Sequence, residues 1–204
     1  MGILSTSVSV TRYRVDGKLE QPIIETASER LKRYAISEMA DEASEKLAGW
    51  TSFDAPFQPN FDGSSFVIGE YLVFALRIDK KNLPPKTVKK YCAIEEAKRL
   101  NESGREYLSR QEREMIEDQV VNTLMMRVPA VPNVYDLVWN YERSTVWFFT
   151  TLKAANEELE TLFLKSFKVP LVRLFPYTLA DLELGLSDTD RDILHNLNAT
   201  SFSE

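Results

Sequence analysis

The amino-acid sequence predicts an α+β fold, an antiparallel sheet with packed helices and a protruding basic helical hairpin. Three observations carry that prediction: two stretches with hairpin signatures, helix-period segments opened by capping boxes, and no strict strand-helix-strand alternation. Hairpins imply antiparallel pairing, which argues against a doubly wound parallel sheet. With 204 residues, 44% of them apolar and 11% aromatic, the chain can bury a core as one large domain or two small ones.

Leu4 to Val15 alternates apolar and small polar side chains, with Leu4, Thr6, Val8 and Val10 on one face, and reads as a first strand. Thr26-Ala-Ser-Glu29 forms a capping box that opens an amphipathic helix, whose buried stripe runs through Ala27, Leu31, Tyr34 or Ala35, Ala43 and Leu47 to a stop at Gly49. Trp50 to Ser65 contains two prolines, three phenylalanines and a Gly-Ser-Ser turn, the composition of an ordered loop that tucks aromatics under the body. Phe66 to Ile78 reads as a hairpin turning at Gly69-Glu70, and Leu83-Pro84-Pro85 stops its second strand.

Lys86 to Leu100 has helical spacing at Val88, Tyr91, Cys92 or Ile94, Ala97 and Leu100, and ends at Asn101 to Gly104. A second capping box, Ser109 to Glu112, opens a helix with Ile116, Val120, Leu124 and Met115 as apolar positions, closed by Pro129. These two helices form a hairpin. Val134 to Tyr141 and Thr145 to Thr150 make a second strand pair with Trp139, Trp147 and Phe149 as core candidates. Leu152 to Phe167 is amphipathic through Ala155, Leu159, Leu162, Phe163 and Phe167, Pro170 ends it, and Leu171 to Phe175 reads as a short strand. Ser187 or Asp188 caps a last helix, and the tail beyond Leu197 is expected to be disordered. The expected divisions are 1–79, an N-terminal α+β part; 80–128, the basic hairpin; 129–197, the second strand pair with its helix; and 198–204, the tail.

Composition narrows the function. The longest apolar stretch, Phe66 to Ile78, is interrupted by Gly69 and Glu70 and falls short of the roughly 18 residues a membrane span needs. Met1 to Val10 lacks the pattern of a secretory signal, so the expected compartment is a reducing cytoplasm. Cys92 and His195 are each the only residue of their kind. They cannot complete a structural zinc site between them, and no metal or cofactor is expected. None of the 7 glycines cluster into a phosphate loop. A lone histidine near a terminus reads as an ordinary surface or packing residue rather than a general base. Lys89 and Lys90 could lower the Cys92 thiol pKa, although a small buried side chain is the simpler reading. Glu157, Glu158 and Glu160, and Asp188, Asp190 and Asp192, are spaced so that neighbours diverge around a helix; a metal-dependent nuclease built on Glu157 or Asp188 is the remotest reading.

Charge is unevenly distributed. The chain carries a net −6, but Arg77 to Arg113 holds 11 Lys/Arg against 6 Asp/Glu. The candidate phosphate contacts are Lys86, Lys89, Lys90, Lys98, Arg99, Arg105, Arg110 and Arg113, with Lys80, Lys81 and Arg127 as secondary candidates. Such contacts would be sequence-independent and salt-dependent. The same charges also fit solvated helix faces paired with Glu95, Glu96, Glu102, Glu106 and Glu112, or a protein-interaction or self-association module docking an acidic partner.

From about Trp50 to Pro176 the chain resembles the RdgC family of bacterial recombination-associated proteins. The resemblance rests on Gly49-Trp50, the Ala55-Pro56-Phe57 loop, the strand ending in Arg77, and Leu83-Pro84 before a long helix. It continues through the basic turn, the helix with Arg113, Ile116 and Leu124 ending at Arg127, and then Ala154-Ala155, Leu159, Leu162 and Leu171. It implies a non-enzymatic, nucleoid-associated homodimer that forms a ring on double-stranded DNA without sequence preference and restrains the recombinase RecA. Family members are longer, and their ring-closing C-terminal part has no clear counterpart after about Pro176.

Overall fold

A computed structural model describes residues 2–37 and 44–197. Its centre is an antiparallel sheet of seven strands, and the fold is α+β as expected. The strands are β1 (Thr11–Val15), β2 (Lys46–Thr51), β3 (Val67–Ile68), β4 (Tyr71–Lys80), β5 (Val131–Asn140), β6 (Thr145–Phe148) and β7 (Leu171–Leu174). They lie in the order β2-β4-β5-β6-β1-β7, with the short β3 pairing with β4 beside β2. The helices are α1 (Ile23–Arg33), α2 (Pro85–Ser103), α3 (Arg110–Arg127), α4 (Lys153–Phe167), α5 (Pro176–Glu183) and α6 (Asp188–Asn196). Among the described residues, no helix is long and apolar enough to cross a membrane.

Helices α1 and α4 contact each other and cover one face of the sheet. The expected stripe of α4 is buried in full, and Ala27 and Leu31 of α1 join it. Beneath them alternate strand residues form the core: Leu72, Phe74 and Leu76 of β4, Leu137 and Trp139 of β5, and Val146 and Phe148 of β6. Trp50 sits edge-on to Phe74 with ring centroids 5.1 Å apart, and its indole Nε1 donates to Ser166 Oγ at 2.8 Å. A buried indole N–H therefore finds its acceptor on α4, so packing and polar satisfaction agree on one helix position.

Several expectations are corrected. The first strand begins at Thr11, not Leu4; the preceding segment instead turns at Gly2 to Ser5, and the Ile3 amide donates to the Asp136 carboxylate. Helix α1 starts at Ile23, so Thr26 lies inside its first turns, its amide donating to the Pro22 carbonyl. The helix also stops at Arg33, and Leu47 and Gly49 belong to β2; Ala43 lies outside the described residues. Trp50 and Thr51 are strand residues. Of the three loop phenylalanines, Phe61 is buried while Phe57 is exposed. On β6 the core positions are Val146 and Phe148, because their pairing with Trp139 and Leu137 turns Trp147 to the opposite face and Phe149 follows it. Helix α5 was not anticipated, and the tail beyond Leu197 lies outside the described residues.

Candidate nucleic-acid interface

Strands β4 and β5 pair along their full length, from Tyr71 with Asn140 to Lys80 with Val131. The whole α2-α3 hairpin is therefore an insertion between two strand ends that lie side by side. It carries a small core of its own, Leu108, Ile116 and Val120, with Val88, Cys92, Leu100 and Leu124 packed against it. Tyr91, Ile94 and Ala97, expected on the packed face of α2, are exposed, as is Met115 of α3. The helical period allowed a stripe through Val88 and Tyr91, but the contact with α3 selects Val88, Cys92 and Leu100.

Local sequence explains both helix ends at the tip. Gly104 closes α2 in the left-handed conformation at φ 64°, which a residue without a Cβ adopts at little cost. Helix α3 opens with the expected capping box: the Glu112 amide donates to Ser109 Oγ at 3.3 Å, and the Ser109 amide donates to Glu112 Oε2 at 2.8 Å. Arg105 adds a bond to Glu112 Oε1 at 2.5 Å. Together the guanidinium and the Ser109 donors hold the Glu112 carboxyl down at about 2.

The eleven cations proposed from sequence divide into groups. Lys81 is buried, 7% exposed, and its Nζ donates to the Met125 carbonyl at 2.7 Å. That geometry turns it into the hairpin, away from any surface ligand. Arg105 pairs with Glu112, Arg110 with Glu114 at 2.9 Å, Lys98 lies 4.0 Å from Glu95, and Arg99 donates to Gln119. Lys80, Lys86, Lys89, Lys90, Arg113 and Arg127 are exposed, and no described carboxylate lies within ion-pair distance of them. Four of these six, Lys80, Lys86, Lys89 and Lys90, fall in a stretch with no acidic residue between Asp79 and Glu95. Helix α3, by contrast, carries Glu114, Glu117 and Asp118. The positive surface is thus concentrated on the β4-α2 connection and the first turns of α2.

The other candidates fall apart spatially. Cys92 is half-buried between α2 and α3, and burial, Glu117 and Glu96 push its thiol pKa up, the reverse of activation by the neighbouring lysines. His195 is exposed in the last turn of α6. Glu158 pairs with Lys46, Glu157 lies 3.7 Å from Lys153, Glu160 accepts from Arg173 and Tyr13, and Asp188 pairs with Arg191. Among the described residues, no three His, Cys, Asp or Glu side chains are grouped to hold a metal ion.

A second charged surface escaped the sequence reading. The sheet face opposite α1 and α4 carries Arg12 and Arg14 of β1, both exposed, with no described carboxylate in ion-pair distance. Pairing places Arg12 between Leu174 and Trp147, and Arg14 between Val172 and Thr145. The available signal was the alternation Arg12-Tyr13-Arg14-Val15, a strand with one charged and one apolar face.

The architecture defines an α+β protein with a helix-covered antiparallel sheet and a cationic helical insertion between two neighbouring strands. The family model described as "Putative exonuclease, RdgC" matches residues 9–181. The chain belongs to the RdgC family. The matched span is wider than the resemblance from Trp50 to Pro176, taking in β1, α1 and all but the end of α5. No curated protein sequence matches the chain.

Proposed function

We propose that this protein is a non-enzymatic, sequence-independent DNA-binding protein of homologous recombination, acting as a dimer on the nucleoid and restraining a RecA-type recombinase by occupying double-stranded DNA. The observation that carries DNA contact is the set of exposed, uncompensated cations at the root of the hairpin, Lys80, Lys86, Lys89, Lys90 and Arg127, with Arg113 further along α3. An ammonium already paired with a carboxylate must give up that partner to meet a phosphate, and these need not. Lys98, Arg99, Arg105 and Arg110 then contribute less, and Lys81 serves the fold. Membership of a recombination-associated family supports the recombination role, and the RecA and dimer elements of the reading rest on that family alone.

The test is a titration of a fluorescent duplex of random sequence at low and moderate salt. Tight binding that ignores sequence and weakens steeply with salt is expected. Replacing Lys86, Lys89 and Lys90 with glutamate should abolish it, whereas neutralising each should lower the salt slope by about 0.9 per lysine. Unchanged affinity overturns the assignment. Incubating the same duplex with magnesium or manganese should leave it intact, and strand cleavage would overturn the non-enzymatic reading.

A second reading is favoured by the apolar side chains the hairpin leaves in solvent, Tyr91, Ile94, Tyr107, Met115 and Met126. In it the basic hairpin docks an acidic protein partner or a second copy, with these apolar side chains at the contact. It predicts salt-sensitive association with no affinity for DNA.

A further inference from the structure

We propose that the open sheet face around Trp147 binds a single-stranded, unstacked segment of nucleic acid, with Trp147 and Tyr71 receiving a base and Arg12 and Arg14 holding its phosphates. The proposal rests on the DNA-binding reading above and adds a separate site on the opposite side of the sheet from α1 and α4. Pairing sets two rows across this face. One runs Leu174, Arg12, Trp147, Val138, Val73; the other runs Val172, Arg14, Thr145, Asn140, Tyr71. Trp147 of β6 and Tyr71 of β4 lean towards each other across the intervening β5, with ring centroids 5.9 Å apart and planes tilted by 32°. Both are only partly buried, so they form an aromatic surface in reach of solvent, beside two exposed guanidinium groups without carboxylate partners.

Each part suits the ligand. Every base has a π-face, so an aromatic platform takes single strands without reading sequence, and stacking makes a large contribution per base. Duplex bases are already stacked and cannot offer a face. Two arginines on one strand, side by side on the same face, match a backbone that carries a charge at every nucleotide. A further feature of the same row is Asn140, which is fully buried; its Oδ1 accepts from the Arg143 amide, while its Nδ2 has no hydrogen-bond partner. At the edge, Arg12 and Arg14 enter a cleft of about 490 Å³ together with Lys18 and Arg143, and with Asp16, Glu142 and Glu183. The acids sit at this rim, and the rows themselves carry none. The half-buried Asp136, one step further along β5, is occupied by the Ile3 amide.

The reporter is built in. Of the three tryptophans, Trp50 is 0% and Trp139 2% exposed, so Trp147 is the one that solvent reaches. The full chain should be titrated with oligothymidylate while tryptophan emission is followed, in parallel with the duplex titration. The expected result is quenching that saturates. Trp147→Leu should lose that signal and bind oligothymidylate about tenfold or more weaker, with duplex affinity unchanged. Arg12→Gln with Arg14→Gln alters only exposed side chains, so it stands as a test even if Trp147→Leu fails to fold. It should reduce the single-strand salt slope by about 0.7 per arginine. If oligothymidylate binds and neither variant weakens it, while glutamates at Lys86, Lys89 and Lys90 abolish it, the sheet-face site is overturned and the DNA-binding reading stands. If neither duplex nor single strand binds, both fail. If Trp147 is quenched or shielded only as protein concentration rises, the face is an interface between copies and the proposal is likewise overturned.

Discussion

The ammonium of Lys81 donates to the main-chain carbonyl of Met125 at 2.7 Å, tying the exit of β4 to the last turns of α3. A helix leaves its final carbonyls without intrahelical donors, and here a lysine 44 residues away supplies one. The bond fixes where the inserted hairpin leaves the sheet, and it removes Lys81 from the set of surface cations.

Lys81→Ala should therefore behave as a fold variant. Leaving the Met125 carbonyl without this donor is expected to cost about 1–3 kcal/mol, read from urea unfolding, with hydrogen exchange faster in the last turns of α3. The salt slope of duplex binding should stay as in the wild type. A lowered slope with unchanged stability would return Lys81 to the phosphate contacts.

Gly49 is buried on β2, and a Cβ built there would meet the backbone N and Cα of Ile36 at 2.6 Å. The close approach belongs to the segment leaving α1, where the Ile36 amide donates to the Trp50 carbonyl and the Trp50 amide to the Tyr34 carbonyl. Gly49→Ala must push these backbones apart. A loss of about 1–3 kcal/mol is expected from overpacking, measured by thermal or urea denaturation; stability equal to wild type would mean that the 34–36 segment yields freely.

The Glu112 carboxyl, held at about 2 by Arg105 and the Ser109 donors, makes the start of α3 pH-dependent. Its folded pKa is below the ordinary carboxylate value, so its contribution is present above about 4.5 and is lost as pH falls from there through about 2. The site is open to solvent and the effect is screened by salt. The protection of the Ser109 and Glu112 amides, taken against their intrinsic exchange rates, should fall over that window, and Glu112→Gln should abolish the pH dependence of that protection.

Tyr13 lies under α4, its hydroxyl donating to Asn156 Oδ1 at 2.6 Å with Glu160 and Arg173 alongside. Burial raises its pKa, opposed by Arg173 and reinforced by Glu160. The neutral phenol is therefore favoured in the fold, and its stabilising contribution is complete below the ordinary tyrosine pKa of about 10 and declines above it. Unfolding free energy should fall in alkali, and Tyr13→Phe should remove that part of the fall while costing about 1–3 kcal/mol at neutral pH for the stranded Asn156 acceptor.

Sequence alone determined the features whose physics is local. Ser109 and Glu112 cap α3 because the partners are three residues apart. Gly69 turns the β3-β4 hairpin because it accepts φ 60°, and the spacing of Ala155, Leu159, Phe163 and Phe167 marks one helix face. The α+β class follows from such signals. Tertiary structure decided what depends on partners distant in the chain. A strand such as Thr145–Phe148 offers two faces, and the pairing of Phe148 with Leu137, with Trp147 beside Arg12, chose which was buried. A basic stretch offers many cations, and only the fold separated Lys81, buried against the Met125 carbonyl, and Arg105, paired with Glu112, from Lys86 and Lys90, which have no described carboxylate within ion-pair distance. Side-chain period and charge are inscribed along one chain, whereas register and burial depend on which segments meet in space.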